Sequence, residues 1–175
     1  MARKSSEKTS ALIVSSSLLS DGAMPALSEY EFGLILAWNA FSRWIVRCMD
    51  AAGAPGLAPL DILVLHAVNH RDREKTLADL CLVLNVEDTH IVTYALKKLA
   101  REALVETGKR GKEKTVRISE KGAALCDRYR AVREDLLVRT AEALAIEETD
   151  LSQLSTLLRG LSGTYDQASR AAAAS

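Results

Sequence analysis

Thr76-Leu-Ala-Asp-Leu-Cys-Leu-Val-Leu-Asn-Val-Glu-Asp88, continued by Thr89-His-Ile-Val-Thr-Tyr-Ala-Leu-Lys-Lys-Leu-Ala-Arg-Glu102, is the stretch that decides the fold. Thr76 offers a hydroxyl oxygen to the free N–H groups of a first helical turn, and Asp79 is placed to reach back in a capping box. The short helix so begun runs to about Leu84. Asn85 tolerates a left-handed backbone and suits a turn between two helices. The second helix then runs from about Asp88 to Glu102. Its apolar positions Val92, Ala95, Leu96, Leu99 and Ala103 recur every three or four residues, so they line one face and pack inward. The opposite face carries Thr89, His90, Thr93, Tyr94, Lys97 and Arg101. Small hydroxyls near the N-terminus suit base edges, and cations further along suit phosphates. Alone, such a helix would read as a solvated amphipathic one.

The segment beyond Glu102 changes that reading. Ala103-Leu-Val-Glu-Thr107 and Thr115-Val-Arg-Ile-Ser119 alternate apolar and polar side chains, as antiparallel strands with one buried face do. Between them lies Gly108-Lys-Arg-Gly-Lys-Glu-Lys114, with glycines for a tight backbone and Lys109, Arg110, Lys112 and Lys114 at the tip. From Lys97 to Arg117 there are eight Lys or Arg against three Glu, in a chain whose net charge is zero. Positive charge is concentrated on one surface, in an arrangement that resembles the wing of a winged helix.

The order of Pro59-Leu-Asp-Ile-Leu-Val-Leu-His66, Thr76-Leu-Ala-Asp-Leu80, Leu99-Ala-Arg-Glu-Ala-Leu-Val105 and Ile118-Ser-Glu-Lys-Gly122 resembles the multiple-antibiotic-resistance regulator (MarR) family. The last motif marks the return of the wing into a helix. The resemblance spans roughly residues 27 to 168. Two departures stand out: the Asp of the Asp-x-Arg pair that braces the family's wing is missing, and the segment between Leu84 and Leu99 is one residue longer than the common pattern. The resemblance implies a mostly α fold with a small β-wing, in which a winged helix-turn-helix domain is flanked by N- and C-terminal dimerisation helices. It implies a homodimer on a double-stranded DNA operator, with the second helix in the major groove and the wing on the adjacent backbone or minor groove. Small effectors, often aromatic acids, would lie between the dimerisation helices and the DNA-binding lobe, where Trp38, Trp44 or His66 would line a pocket.

At this length one domain is expected. Residues 1–27, rich in Ser, Lys and Ala and without periodicity, read as an arm, with Leu12-Ile-Val14 able to pack on a second subunit. Residues 28–169 form the domain: 28–58 and 120–169 as dimerisation helices, 59–119 as the winged-helix lobe. Ser28-Glu-Tyr-Glu31 reads as a capping box opening a helix to about Ala52. Phe32, Ile35, Leu36, Trp44, Ile45 and Val46 make it apolar over more than one stripe, so it has two partners to satisfy, its own core and another chain. Pro59 opens a helix through Asn69 with Leu60, Leu63, Val64 and Ala67 inward. From Ser119 a long helix carries Ala123, Leu125, Cys126, Tyr129, Val132, Leu136 and Leu137 towards Ala145. Acidic Glu147-Glu-Thr-Asp150 opens a last helix with a stripe of Leu151, Leu154, Leu157, Leu158, Leu161 and Tyr165, and the Ala-rich tail, residues 170–175, frays.

Zero net charge argues against a protein that coats nucleic acid with its whole surface and permits a local basic footprint. Cys48, Cys81 and Cys126, odd in number and set in apolar helical patterns, read as reduced core thiols rather than redox sensors. No apolar run reaches the length of a membrane span, and three serines end Ala11-Leu-Ile-Val14 too early for a signal peptide, so a cytoplasmic location is expected. His66 and His70 share a helical face at metal-binding spacing but lack a third ligand. With no phosphate loop, nucleophile elbow or metal cluster, neither an enzyme nor a cofactor is expected. The competing reading is a winged-helix module for protein–protein contact, against which the basic wing argues.

Overall fold

The computed structural model describes residues 24–71 and 73–175. The expected arm therefore lies, up to residue 23, outside the described residues. In order the chain forms α1 (Pro25–Ala51), α2 (Pro59–Asn69), β1 (Lys75–Thr76), α3 (Leu77–Leu84), α4 (Thr89–Arg101), β2 (Val105–Arg110), β3 (Glu113–Ile118), α5 (Glu120–Arg133), a π-helical turn (Glu134–Val138), α6 (Arg139–Ala143) and α7 (Glu148–Ala173). The sheet is antiparallel in the order β1-β3-β2.

The helix-turn-helix forms as its local chemistry dictates. Thr76 Oγ1 accepts the Asp79 N–H at 3.1 Å, and the Asp79 carboxylate accepts the Thr76 N–H at 2.9 Å. Such a cap is worth about 1 kcal/mol, and hydrogen bonding to the carboxylate from the Thr76 backbone N–H and then its hydroxyl holds the Asp79 carboxyl below its ordinary pKa. Asn85 ends α3 in the left-handed region at φ 51°, and Asp88 starts α4 by accepting the His90 N–H at 2.8 Å.

Helix α2 is the hub, packed against α1, α3, α4, α5 and β3. Ile62, Leu65 and Val68 are buried together with Val64 and Ala67, so α2 is enclosed nearly all round, whereas the expected inward residues Leu60 and Leu63 are only half-buried. A helix that touches five elements has no solvent face for periodicity to report. Ile45 and Met49 of α1, Leu80 of α3, Val92 and Leu99 of α4, Val116 of β3 and Leu125 of α5 complete the core.

Several boundaries differ from expectation. Helix α1 starts at Pro25 rather than Ser28, because proline is preorganised for the first helical position; Ser28 lies buried within the helix rather than at its cap. Ala103 is exposed at φ 55°, outside the inward stripe, because α4 ends at Arg101 and the backbone must reverse into β2. The strands run further into the wing than the alternation suggested, pairing through Arg110 and Glu113, so that only Gly111 and Lys112 turn. Gly111, at φ 65°, supplies the left-handed backbone that this tight hairpin needs. The helix after Ser119 is interrupted by the π-helical turn at 134–138. Helix α7 continues to Ala173, into the residues 170–175 expected to fray, consistent with alanine's helix propensity.

Candidate nucleic-acid interface

Three features aim α4. Lys98, from its flank, forms an ion pair with the buried carboxylate of Asp61 at 2.7 Å and donates to the Gly56 carbonyl at 2.8 Å. Asp61 also accepts the Ala58 N–H at 2.8 Å, so one carboxylate ties the start of α2, the preceding loop and α4 together. At the far end, the Lys121 ammonium donates to the Glu102 carbonyl at 2.7 Å and the Ser119 hydroxyl donates to the Ala103 carbonyl at 2.8 Å while accepting the Gly122 N–H. Gly122 itself sits where a Cβ would fall 2.0 Å from the Leu104 carbonyl oxygen, so no other residue permits this approach. The Ser-x-Lys-Gly motif is thus a clamp on the junction between α4 and the wing.

The face of α4 that these anchors present to solvent carries Thr89, His90, Tyr94, Lys97 and Arg101, all exposed. Thr93 is half-buried at its edge, with its hydroxyl donating to the Thr89 carbonyl at 2.8 Å. Ile91, which periodicity did not single out, is also exposed.

Lys109, Arg110, Lys112 and Lys114 of the wing are exposed. Lys109 pairs with Lys114 across the strands, and like charges in that register repel. Where the family's Asp-x-Arg brace is missing, Glu106 and Arg117 stand opposite each other, and the Glu106 carboxylate accepts Arg117 Nε at 2.8 Å and Nη2 at 2.5 Å. Both are exposed, so the pair steadies the hairpin more than it stabilises the fold. Sequence reasoning passed over this pair, although placing the turn at Gly111-Lys112 would have set the two residues face to face.

Between α4 and the wing lies a groove of about 520 Å³. Thr93, Leu96 and Lys97 line one wall, and Lys109, Lys114 and Thr115 the other. Two cationic elements distant in sequence therefore converge on one cleft.

The residues assigned to an effector pocket lie elsewhere. Trp38 is exposed on α1 against Phe41, Trp44 is half-buried, and His66 sets its ring edge-on to Tyr129 with centroids 4.5 Å apart. Burial lowers the His66 pKa, and its Nε2 has no hydrogen-bond partner among the described residues. None of the three is in contact with the groove, nor with cavities of about 320 Å³ beside the loop 53–57 and about 300 Å³ beside Ser42 and Pro59. Among the described residues no group of three or more His, Cys, Asp or Glu could hold a metal. Burial raises the Cys48 thiol pKa and pushes Cys126 up to about 11, opposite to what an activated thiolate needs. No helix among the described residues is long and apolar enough to cross a membrane.

Residues 57–122 match the family model of a winged helix DNA-binding domain. Among solved structures, the chain is similar to a MarR family regulator from Neisseria meningitidis, with 16% identity, 81% of this chain and 94% of that one covered, and a TM-score of 0.64. It is similar also to a mutant of MarR from E. coli complexed with operator DNA, with 17% identity, 80% and 98% covered, and a TM-score of 0.63. At such identities the likeness is one of fold. No curated protein matches the sequence significantly.

Proposed function

We propose that this chain, which carries a winged helix DNA-binding domain in the fold of the MarR family regulators, acts as a homodimeric, sequence-specific transcription regulator on double-stranded DNA. The carrying observation is the convergence of α4 and the wing on one cationic cleft. Helix α4 enters the major groove with Thr89, His90, Thr93, Tyr94, Lys97 and Arg101 as its contact set. Lys109, Arg110, Lys112 and Lys114 follow the neighbouring phosphates or the minor groove. This chemistry is binding, not catalysis.

Homodimerisation is supported by apolar residues left uncovered among the described residues: Ile35, Leu36 and Trp38 on α1, Leu136 on the π-helical turn, and Leu151, Leu154 and Leu157 on α7. Stripes of this size on long helices mark protein interfaces. An effector crevice at Trp38 would be completed by the second copy.

The test is selection of bound fragments from the source genome by the full chain, followed by titration at several salt concentrations. Enrichment of one palindromic sequence, bound more tightly than random DNA and less tightly as salt rises, is expected. Exposed Leu82 and Val83 on α3 favour a protein-contact module, and no enrichment together with salt-independent behaviour would decide for that reading.

A further inference from the structure

Ile91 and Tyr94 lie three apart on α4 and are 45% and 69% exposed. Their presence there has a cost. A β-branched isoleucine is a poorer helix former than the Lys or Glu usual at exposed positions, and its solvated surface contributes no burial. Every other large apolar residue of α4 is buried or half-buried. The pair also stands in the N-terminal half of the helix, with His90 one turn before Tyr94 and Lys97 one turn after it. An apolar spot with His90 and Lys97 one turn from Tyr94 on the same helix suits a polyanion that displays apolar groups. In the DNA major groove the only such group is the thymine C5-methyl.

We infer that Ile91 and Tyr94 read thymine methyl groups, so that each operator half-site holds at least one thymine whose methyl packs on this pair. The inference rests on the DNA-binding reading above and specifies its chemistry. Base identity at those positions is discriminated by apolar contact rather than by hydrogen bonds, and the surrounding cations supply the sequence-independent part of the affinity.

The experiment uses the full chain and a duplex selected from a random pool, resynthesised with deoxyuridine replacing each thymine in turn. Uracil keeps the hydrogen-bonding pattern and lacks only the methyl. At one or two positions per half-site the replacement is expected to weaken binding about fourfold, the equivalent of one buried methyl-sized group. The thymine preference at those positions should vanish in Ile91→Ala or in Tyr94→Ala and survive in Tyr94→Phe, which keeps the ring and loses the hydroxyl. Both positions are exposed, so folding is expected to be retained, and a thermal melt of each variant checks it. Uracil equivalent to thymine at every position overturns the inference and leaves the DNA reading standing, as does a preference undiminished in both alanine variants. Failure of the pool to yield any bound sequence overturns both, and the patch is then a surface for another protein.

Discussion

The winged-helix lobe and the helices that flank it solve opposite problems. Within the lobe, apart from the exposed Leu82, Val83, Ile91 and Tyr94, the large apolar side chains are buried or half-buried: Ile62, Leu65, Leu80, Val92 and Leu99 are all at most 2% exposed. Its helix ends and loops are tied by side chains, Thr76 to Asp79, Lys98 to Asp61, Ser119 to Ala103. On the flanks, Ile35, Trp38, Leu151, Leu154 and Leu157 are each about half exposed, and among its described residues α7 has no buried one. Side-chain hydrogen bonds tie α7 to other elements: Tyr165 donates to Glu31 of α1 at 3.0 Å, and the Asn85 amide reaches Ser162 and Asp166. Apolar residues thus build a finished core in one region and an unfinished one in the other. The difference teaches that the lobe builds its own core, whereas the flanks present apolar surface that the proposed homodimer would cover.

The largest expected effect cuts the unfinished region away. Ending the chain after Ile146 removes the leucine stripe of α7, and losing several leucines at roughly 1.5 to 3 kcal/mol each corresponds to at least about a thousandfold weaker self-association. Sedimentation of the full and shortened chains measures this. A full-length chain that is monomeric at micromolar concentration would break the contrast.

Next, equal truncations in the two regions should behave unequally. Leu99→Ala opens a cavity in the lobe and is expected to cost about 2 to 5 kcal/mol of folding stability. Leu154→Ala should change the stability of the dissociated chain by less than about 0.5 kcal/mol and weaken self-association instead. Denaturant unfolding at several protein concentrations separates the two quantities.

A smaller effect is expected at the wing, whose exposed cations belong to the lobe and whose Arg110 makes only a solvent-exposed ion pair with Glu113. Changing Arg110 and Lys112 together to Ala should flatten the salt dependence of DNA binding by about one to two units of slope. Operator and random DNA should weaken alike, with the melting temperature nearly unchanged. Loss confined to the operator would mean that the wing reads sequence or shape.

The smallest effect sharpens the boundary, where His66 of α2 meets Tyr129 of α5. Burial lowers the His66 pKa, so the folded chain prefers the neutral ring and the unfolded chain takes up a proton more readily. Stability should therefore fall as pH drops through the ordinary histidine range near 6.5, and level off below the folded-state pKa. Unfolding at about pH 7.5 and about pH 5.5 should show a smaller loss in His66→Phe, which keeps the ring contact, than in the parent chain. An identical loss would place the pH sensitivity elsewhere.

Local signals were legible where the interaction is local. The capping box of Thr76 and Asp79, the left-handed turn at Asn85 and the inward phase of Val92, Ala95 and Leu99 span a few residues each, so residue order alone dictates them. The cationic tip and the acidic start of α7 were equally plain. Other features depended on partners far along the chain. Ile62 and Leu65 are inward because α2 is surrounded, Asp61 is a strut because Lys98 arrives 37 residues later, and Gly122 is required because the Leu104 carbonyl approaches it. The start of α1 at Pro25 and the persistence of α7 to Ala173 show a weaker case, in which two local preferences compete and pattern reading chose the wrong one. Sequence by itself determined which segments are helices, which form the hairpin and where the charge collects, because backbone capping, periodicity and composition act over single turns. Only the tertiary structure decided how α4 and the wing face one groove and which apolar faces remain uncovered, because those depend on what the rest of the chain brings alongside.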